Sequence, residues 1–402
     1  MWEQIRSNRR RSLVLVIAMG LILLAIGWLL GYAFMNSAIG GLAIAGIIWI
    51  IMSLVGYFQG DSILLGLSKA RKIGPDDHPR LYNIVEEMKI ASGLEHMPSI
   101  YIIDDPALNA FATGRDPKRA SVAITSGLLN KLNRDELQGV IGHEMAHIKN
   151  RDVLLMAMTS VLLGTIVILA WYGSRIMLFS GGGRSRSSSR GGGGQAQLII
   201  MIAAIVLAIL APILAQLIYF AISRKREYLA DASSALYTRY PEGLASALEK
   251  LGQSTGQLQS ANKATAPMYI VNPFRKQGVQ FSNLSSTHPP LTERINILRK
   301  MAGATYVNYN EAYREVHHGR SGVIPATGLV GESVQLTPTR PSSKADDPEE
   351  KQRIRETSAV LQKLGGYKTI DCECGAKLKL PPGFTQGTLT CPRCGRKHRV
   401  GG

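Results

Sequence analysis

The chain has 402 residues, with 46 Lys and Arg against 29 Asp and Glu, and a formal charge of +17. Hydrophobic residues make up 46% and charged residues 19%, below the usual quarter. The apolar share excludes an intrinsically disordered chain, and the length exceeds one small domain. An ordinary soluble globule is not expected, because four long stretches carry no charge at all.

The first stretch runs from Leu13 to Met35 and the second from Ala38 to Phe58. About 20 apolar residues cross the hydrocarbon core as a helix, and both stretches reach that length. A signal peptide is the rival for the first run. That run is too long for a signal core, and a second follows after only Asn36 and Ser37, so a retained hairpin is expected. Arg6, Arg9, Arg10 and Arg11 precede the hairpin, and Lys69, Arg71 and Lys72 follow it. The positive-inside rule places both flanks in the cytoplasm.

Residues from about Lys69 to Arg151 read as a soluble α+β segment. Leu81, Ile84, Val85 and Met88 fall at helical spacing between Arg80 and Ser92, and Gly93 stops that helix. Ser99–Ile103, Ala110–Thr113 and Ser121–Ile124 read as strands. Asn133 is an N-cap for a helix with acids in its first turn, running through His147 to about Asn150.

Two more uncharged runs follow, Val153 to Tyr172 and Gln197 to Ile222, the latter with Pro212 and Gln216 inside. They read as a second membrane hairpin. Its Gly/Ser-rich loop carries Arg175, Arg184, Arg186 and Arg190, which the positive-inside rule disfavours outside, so full translocation of residues 173–196 stays open. Helices are expected over Ser223 to Tyr237, from Pro241, and around Leu291, Ile295 and Leu298.

The chemistry centres on His143-Glu144-Met145-Ala146-His147. Two histidines four apart on a helix differ by about 40° in azimuth, so both imidazoles can hold one metal ion. Such nitrogen ligands suit a catalytic zinc, and Glu144 can reach its water as general base. A third ligand is needed. Glu227, directly after the fourth run, reaches the same membrane face as His147 if the second hairpin is antiparallel. Two His and one Glu form a known catalytic zinc set. Asp231, one turn beyond Glu227, is placed to orient a ligand histidine. His78, His96, His317 and His318 are expected at the surface.

In order, the two N-terminal runs, Asn109-Ala-Phe-Ala-Thr-Gly114, His143–His147, the second hairpin, Arg226-Glu-Tyr-Leu-Ala-Asp231 and Ser286-Thr-His-Pro-Pro290 with Arg294 resemble the HtpX-type membrane zinc metallopeptidases, relatives of the CAAX prenyl endopeptidases. The resemblance covers about Trp2 to Ala302. It implies His143, His147 and Glu227 as zinc ligands and Glu144 as base. It also implies His288 and Arg294 near the active site and Asn109 beside the substrate-binding strand. A His or Arg donor there would stabilise an oxyanion, and the strand near Asn109 could pair with an extended peptide. The implied substrates are misfolded or damaged membrane proteins.

The four cysteines are Cys372, Cys374, Cys391 and Cys394. A cytoplasmic tail argues against disulfides, and two thiol pairs at this spacing read as a structural zinc ribbon with strands Lys377 to Leu380 and Lys397 to Val400. The first pair is C-x-C, so His398 is a possible substitute ligand. From Lys351 onward 11 basic and 3 acidic residues give +8 of the +17. This basic tail suits an acidic partner or anionic lipid; its scarce aromatic residues argue against nucleic acid.

The expected fold is mostly α with a small β-sheet: four transmembrane helices, a cytoplasmic zincin-like (gluzincin) catalytic domain and a C-terminal zinc ribbon. The expected divisions are 1–68, an N-terminal membrane hairpin; 69–320, the metallopeptidase domain with an inserted hairpin at about 153–222; 321–350, a flexible linker; and 351–402, the basic ribbon. The expected activity is zinc endopeptidase in the bacterial inner membrane, with the site and both termini cytoplasmic. Its expected cofactors are one catalytic and one structural zinc, and its expected partners are membrane lipids and membrane-protein substrates. Prenyl-protein processing and a non-enzymatic, membrane-anchored adaptor are the alternatives.

Overall fold

The computed structural model describes residues 2–35, 37–180, 224–254, 256, 258–259, 269–270, 289–319, 321–329, 338–343, 347–384 and 387–399. Helix α1 is Trp2–Met35 and α2 is Ala38–Leu67. Ser37 caps α2, its hydroxyl accepting the Gly40 N–H at 3.0 Å. A Cβ at Gly41 would strike the backbone of Gly27 and Gly31, so these helices touch backbone to backbone at small residues. Helix α6, Asp152–Ser180, packs on both, with Leu155, Leu162, Leu163 and Ile166 against Met19, Leu23 and Ile26.

Among the described residues, two helices are long and apolar enough to cross a membrane. One is Ala38–Leu67, of mean hydropathy 2.4; the other is Asp152–Leu169, of mean hydropathy 2.2. This corrects the expectation of four transmembrane helices. The first run is reduced to the apolar stretch Val16–Tyr32. The fourth run, 197–222, lies outside the described residues, as does the loop beyond residue 180.

The soluble part is built on a four-stranded mixed sheet: β1 Arg71–Ile73, β2 Ser99–Ile103, β3 Ala110–Thr113 and β4 Ser121–Thr125. The order is β1-β2-β4-β3. Strand β2 runs parallel to β4 and the other pairings are antiparallel. Strand β3 is therefore an edge. Helix α3, Pro79–Ser92, buries Leu81, Ile84, Val85 and Met88 and ends at Gly93, whose φ of 70° needs no Cβ. His78, expected at the surface, is 2% exposed. It caps α3, with Nδ1 accepting the Leu81 N–H at 3.2 Å, and burial pushes its pKa down.

A short helix, α4 (Ser126–Lys131), leads to the central one, α5 (Arg134–Lys149). Asn133 and Glu136 cap α5 reciprocally, each side chain accepting the other's backbone N–H at 2.9 Å. Every residue from Asp135 to Ile148 is buried. Space for this comes from glycine. A side chain at Gly139 would collide with the Leu244 backbone of α8 (Pro241–Gln253). Helix α7, residues 224–238, lies against Gly142 through Ser234, whose hydroxyl donates to Gly139 O at 2.7 Å. Helices α9 (Leu291–Arg299), α10 (Tyr306–Val316) and α11 (Ala326–Leu329) complete the body.

Of the segment expected as a linker, residues 321–329, with α11, 338–343 and 347–350 are described, and several of them bond to the body. The Arg340 guanidinium reaches Gln138 Oε1 at 2.6 Å and Asp135 at 2.8 Å. Ser342 and the Ser343 backbone donate to Asp135 at 2.7 and 2.8 Å. Asp347 bridges Arg80 and Arg353 at 3.1 and 2.7 Å. Helix α12, Glu350–Leu364, follows and buries Val360 in the main core. The tail is thus fastened beside the first turn of α5. It ends in two antiparallel pairs, β5 (Lys368–Asp371) with β6 (Lys377–Leu380) and β7 (Thr388–Thr390) with β8 (Lys397–Arg399).

Candidate active site and metal centres

Helix α5 presents His143, Glu144 and His147, and α7 brings Glu227 alongside. The His143 and His147 Nε2 atoms are 3.2 Å apart. Glu227 places Oε2 3.5 Å from His143 Nε2 and Oε1 3.5 Å from His147 Nε2. Zinc–ligand bonds of about 2.0–2.1 Å at tetrahedral angles put ligand atoms about 3.4 Å apart. The three groups therefore fit one tetrahedral zinc ion, and all three are buried.

The outer ring nitrogens fix which face of each imidazole points inward. His143 Nδ1 lies 3.0 Å from Asp231 Oδ1, and His147 Nδ1 lies 3.2 Å from Asp152 Oδ2. A carboxylate on Nδ1 keeps the proton there and leaves Nε2 as a lone-pair donor. Asp152 is a residue that sequence reasoning missed. Its signal was an acid five residues past His147, at the first position of the membrane helix.

Arg294, fully buried, grips Asp231 with two bonds, Nε to Oδ2 at 2.8 Å and Nη2 to Oδ1 at 2.6 Å. Its Nη1 donates to Ile270 O at 3.4 Å and lies 3.7 Å from Glu227 Oε2. The guanidinium thus meets the ligand set through Asp231 and beside Glu227. His288 lies outside the described residues.

Glu144 is 2% exposed, and burial above all pushes its pKa up. It accepts the backbone N–H of Ala112 on β3, which partly offsets that rise. Asn109, just before β3, uses Oδ1 to accept the Ala110 N–H at 3.1 Å. Its backbone pairs inward with Thr125, so Ala110 and Ala112 turn their peptide groups away from β4, to the outer edge of the sheet. Ala110 O accepts the Ile270 N–H at 3.0 Å there.

Desolvation alone would lower the His143 pKa, but Asp231 and Glu227 outweigh it and raise it to about 9. In chelator-treated protein these ion pairs therefore stabilise fully below about pH 6.5 and are lost as pH rises through about 9. Zinc takes the neutral imidazole, so its binding at neutral pH displaces this proton. Zinc affinity should climb by about tenfold per pH unit up to pH 9 and then level off. Calorimetry in buffers of differing protonation enthalpy measures the proton released; no release at pH 7 would refute the assignment.

The four cysteines form the second cluster, all free thiols. Cys372 and Cys394 Sγ are 3.5 Å apart, and Cys374 and Cys391 Sγ are 3.7 Å apart. Zinc–sulfur bonds of about 2.3 Å require about 3.8 Å between sulfurs. These thiols fit a zinc ion as well, and His398 is not part of the cluster.

Residues 75–302 match peptidase family M48. The chain is 45% identical over 301 residues to a "Protease HtpX homolog" of Streptococcus mutans, covering 75% of this chain and all of that one. It is 44% identical over 300 residues to a protein of the same description from Dictyoglomus turgidum, covering 75% and 94%. Among solved structures, the crystal structure of S. mikatae Ste24p aligns over 74% of this chain and 67% of that one, at TM-score 0.41 and 20% identity.

Proposed function

Because the chain belongs to peptidase family M48 and is an integral-membrane zinc protease of the HtpX type, we propose the following roles for its residues. His143, His147 and Glu227 hold the catalytic zinc, and Glu144 is the base. The 3.2 Å between the two imidazole Nε2 atoms, with a Glu227 oxygen 3.5 Å from each, carries this reading. When bound, zinc polarises the scissile carbonyl and lowers the pKa of a water molecule. Glu144 would take a proton from the attacking water and pass it to the leaving amine. Asp231 and Asp152 hold the ligand imidazoles in register. Arg294 is a positioning residue for Asp231.

The substrate lies extended along the edge of β3, where the Ala112 carbonyl faces outward while the Ala110 N–H and C=O and the Ala112 N–H are held by Asn109, Ile270 and Glu144. Asn109 holds the first of these N–H groups. Misfolded or damaged membrane proteins at the cytoplasmic face are the substrates the family resemblance implies, and a site beside the start of α6 supports membrane proteins as the class. The chain divides at about 68, 320 and 350, with the basic ribbon as a module that α12 and residues 338–343 and 347 fasten to the catalytic body.

The test is cleavage of a transmembrane protein in proteoliposomes. Cutting that a chelator abolishes and zinc restores supports the proposal. Absence of cutting with zinc present contradicts it, and a requirement for a prenyl group would move the activity to C-terminal processing.

A further inference from the structure

The turn joining β3 to β4, residues 114–120, lies against the membrane helix α2. The Arg115 guanidinium carbon sits 5.7 Å from the ring centroids of both Tyr57 and Phe58. Those rings are 41% and 55% exposed. They close the apolar run of α2, since Gln59, Gly60 and Asp61 follow. Aromatic residues at the end of such a run sit at headgroup level. Helix α6 gives a second marker of height. Its Met158 packs at Gly56 and its Ala157 at Gly60, so the start of α6 lies beside the end of that run.

The turn itself is basic. It carries Arg115, Lys118 and Arg119 against a single acid, Asp116. Asp116 spends Oδ1 on the Lys118 and Arg119 backbone N–H groups, at 2.9 and 3.1 Å, and Oδ2 on Arg115 at 3.4 Å. The Lys118 and Arg119 side chains are exposed. Among the described residues no other carboxylate is within ion-pair distance of these three cations.

We propose that the 114–120 turn is a docking surface for anionic lipid headgroups. Tyr57 and Phe58 hold Arg115 at the interface by cation–π contact, while Lys118 and Arg119 reach the phosphates beside it. One consequence rests on the proteolytic reading. Ala112, which binds Glu144, is two residues from this turn, about 7 Å along the strand. Lipid contact at the turn would fix the substrate edge just above the bilayer. Cleavage would then favour peptide segments that emerge directly from the membrane.

The experiment reads lipid contact and not cleavage, so it stands apart from the catalytic roles. Full-length protein is placed in nanodiscs of phosphatidylcholine, with or without phosphatidylglycerol, and amide exchange is followed in peptides covering 114–120. Phosphatidylglycerol should slow that exchange, by about fivefold for each cation engaged. Added salt should reverse the effect. The double variant Lys118→Glu, Arg119→Glu should lose it, with exchange in α5 unchanged as evidence of folding. Equal exchange in both lipid mixtures overturns the proposal, as does slowing that the double variant retains. Inorganic phosphate that slows exchange in phosphatidylcholine discs as much as phosphatidylglycerol does would also overturn it, by showing a phosphate site without need of a lipid.

Discussion

Glu144→Gln should lower turnover by about 10²–10⁴-fold while zinc stays bound. Glutamine keeps the shape of glutamate and can still sit against the Ala112 N–H, but it cannot take a proton. His143, His147 and Glu227 are untouched, so the ion should be retained at the wild-type level. Because the loss lies in the chemical step, kcat should fall with KM little changed. The measurement is steady-state cleavage beside elemental analysis of the same sample. A variant that keeps its zinc and cuts as fast as wild type removes Glu144 from the mechanism.

Arg294→Ala carries the second large effect. The guanidinium is fully buried and makes two bonds to Asp231. Its removal leaves the Asp231 carboxylate buried beside Glu227, with only His143 to balance it. Breaking a buried pair in this way costs about 3–5 kcal/mol. Asp231 also orients His143, so zinc affinity should fall by roughly 10–100-fold. Chemical denaturation and competition with a chromogenic chelator measure the two effects separately. Arg294→Lys should recover part of the stability, because a lysine restores the charge but not the two-bond fork. Zinc affinity unchanged in the alanine variant would mean that Arg294 has no part in holding the centre.

The sequence was most legible where structure is local. Asn133, the acids of the first turn and the His143–His147 spacing lie on one helix, and α5 carries all of them. The strands at Ser99–Ile103 and Ala110–Thr113 were equally readable from their composition. Glu227 required a topological step, since a whole membrane run and its loop separate it from His143 and His147 in the chain. Asp152 and the Arg294–Asp231 pair were harder. Such contacts join residues with no shared periodicity, and the resemblance placed Arg294 near the site without revealing that Asp231 occupies its guanidinium.

Two further differences have plain causes. Run length takes in the whole of Leu13–Met35, whereas the apolar stretch among the described residues is Val16–Tyr32. Helix α12 buries Arg353, Thr357 and Val360, only one of them apolar, so hydrophobic periodicity was too weak to mark it. The contacts of Arg340, Ser342 and Ser343 with Asp135 are likewise polar and long-range. A linker-like composition gives no sign of them.

The zinc content of purified full-length protein, compared with Glu227→Ala, bears most directly on the metal centre. Two ions per wild-type chain and one per Glu227→Ala chain are expected, the survivor being the ion held by Cys372, Cys374, Cys391 and Cys394. Two ions in both proteins would place the catalytic metal on ligands other than the His143, His147 and Glu227 set.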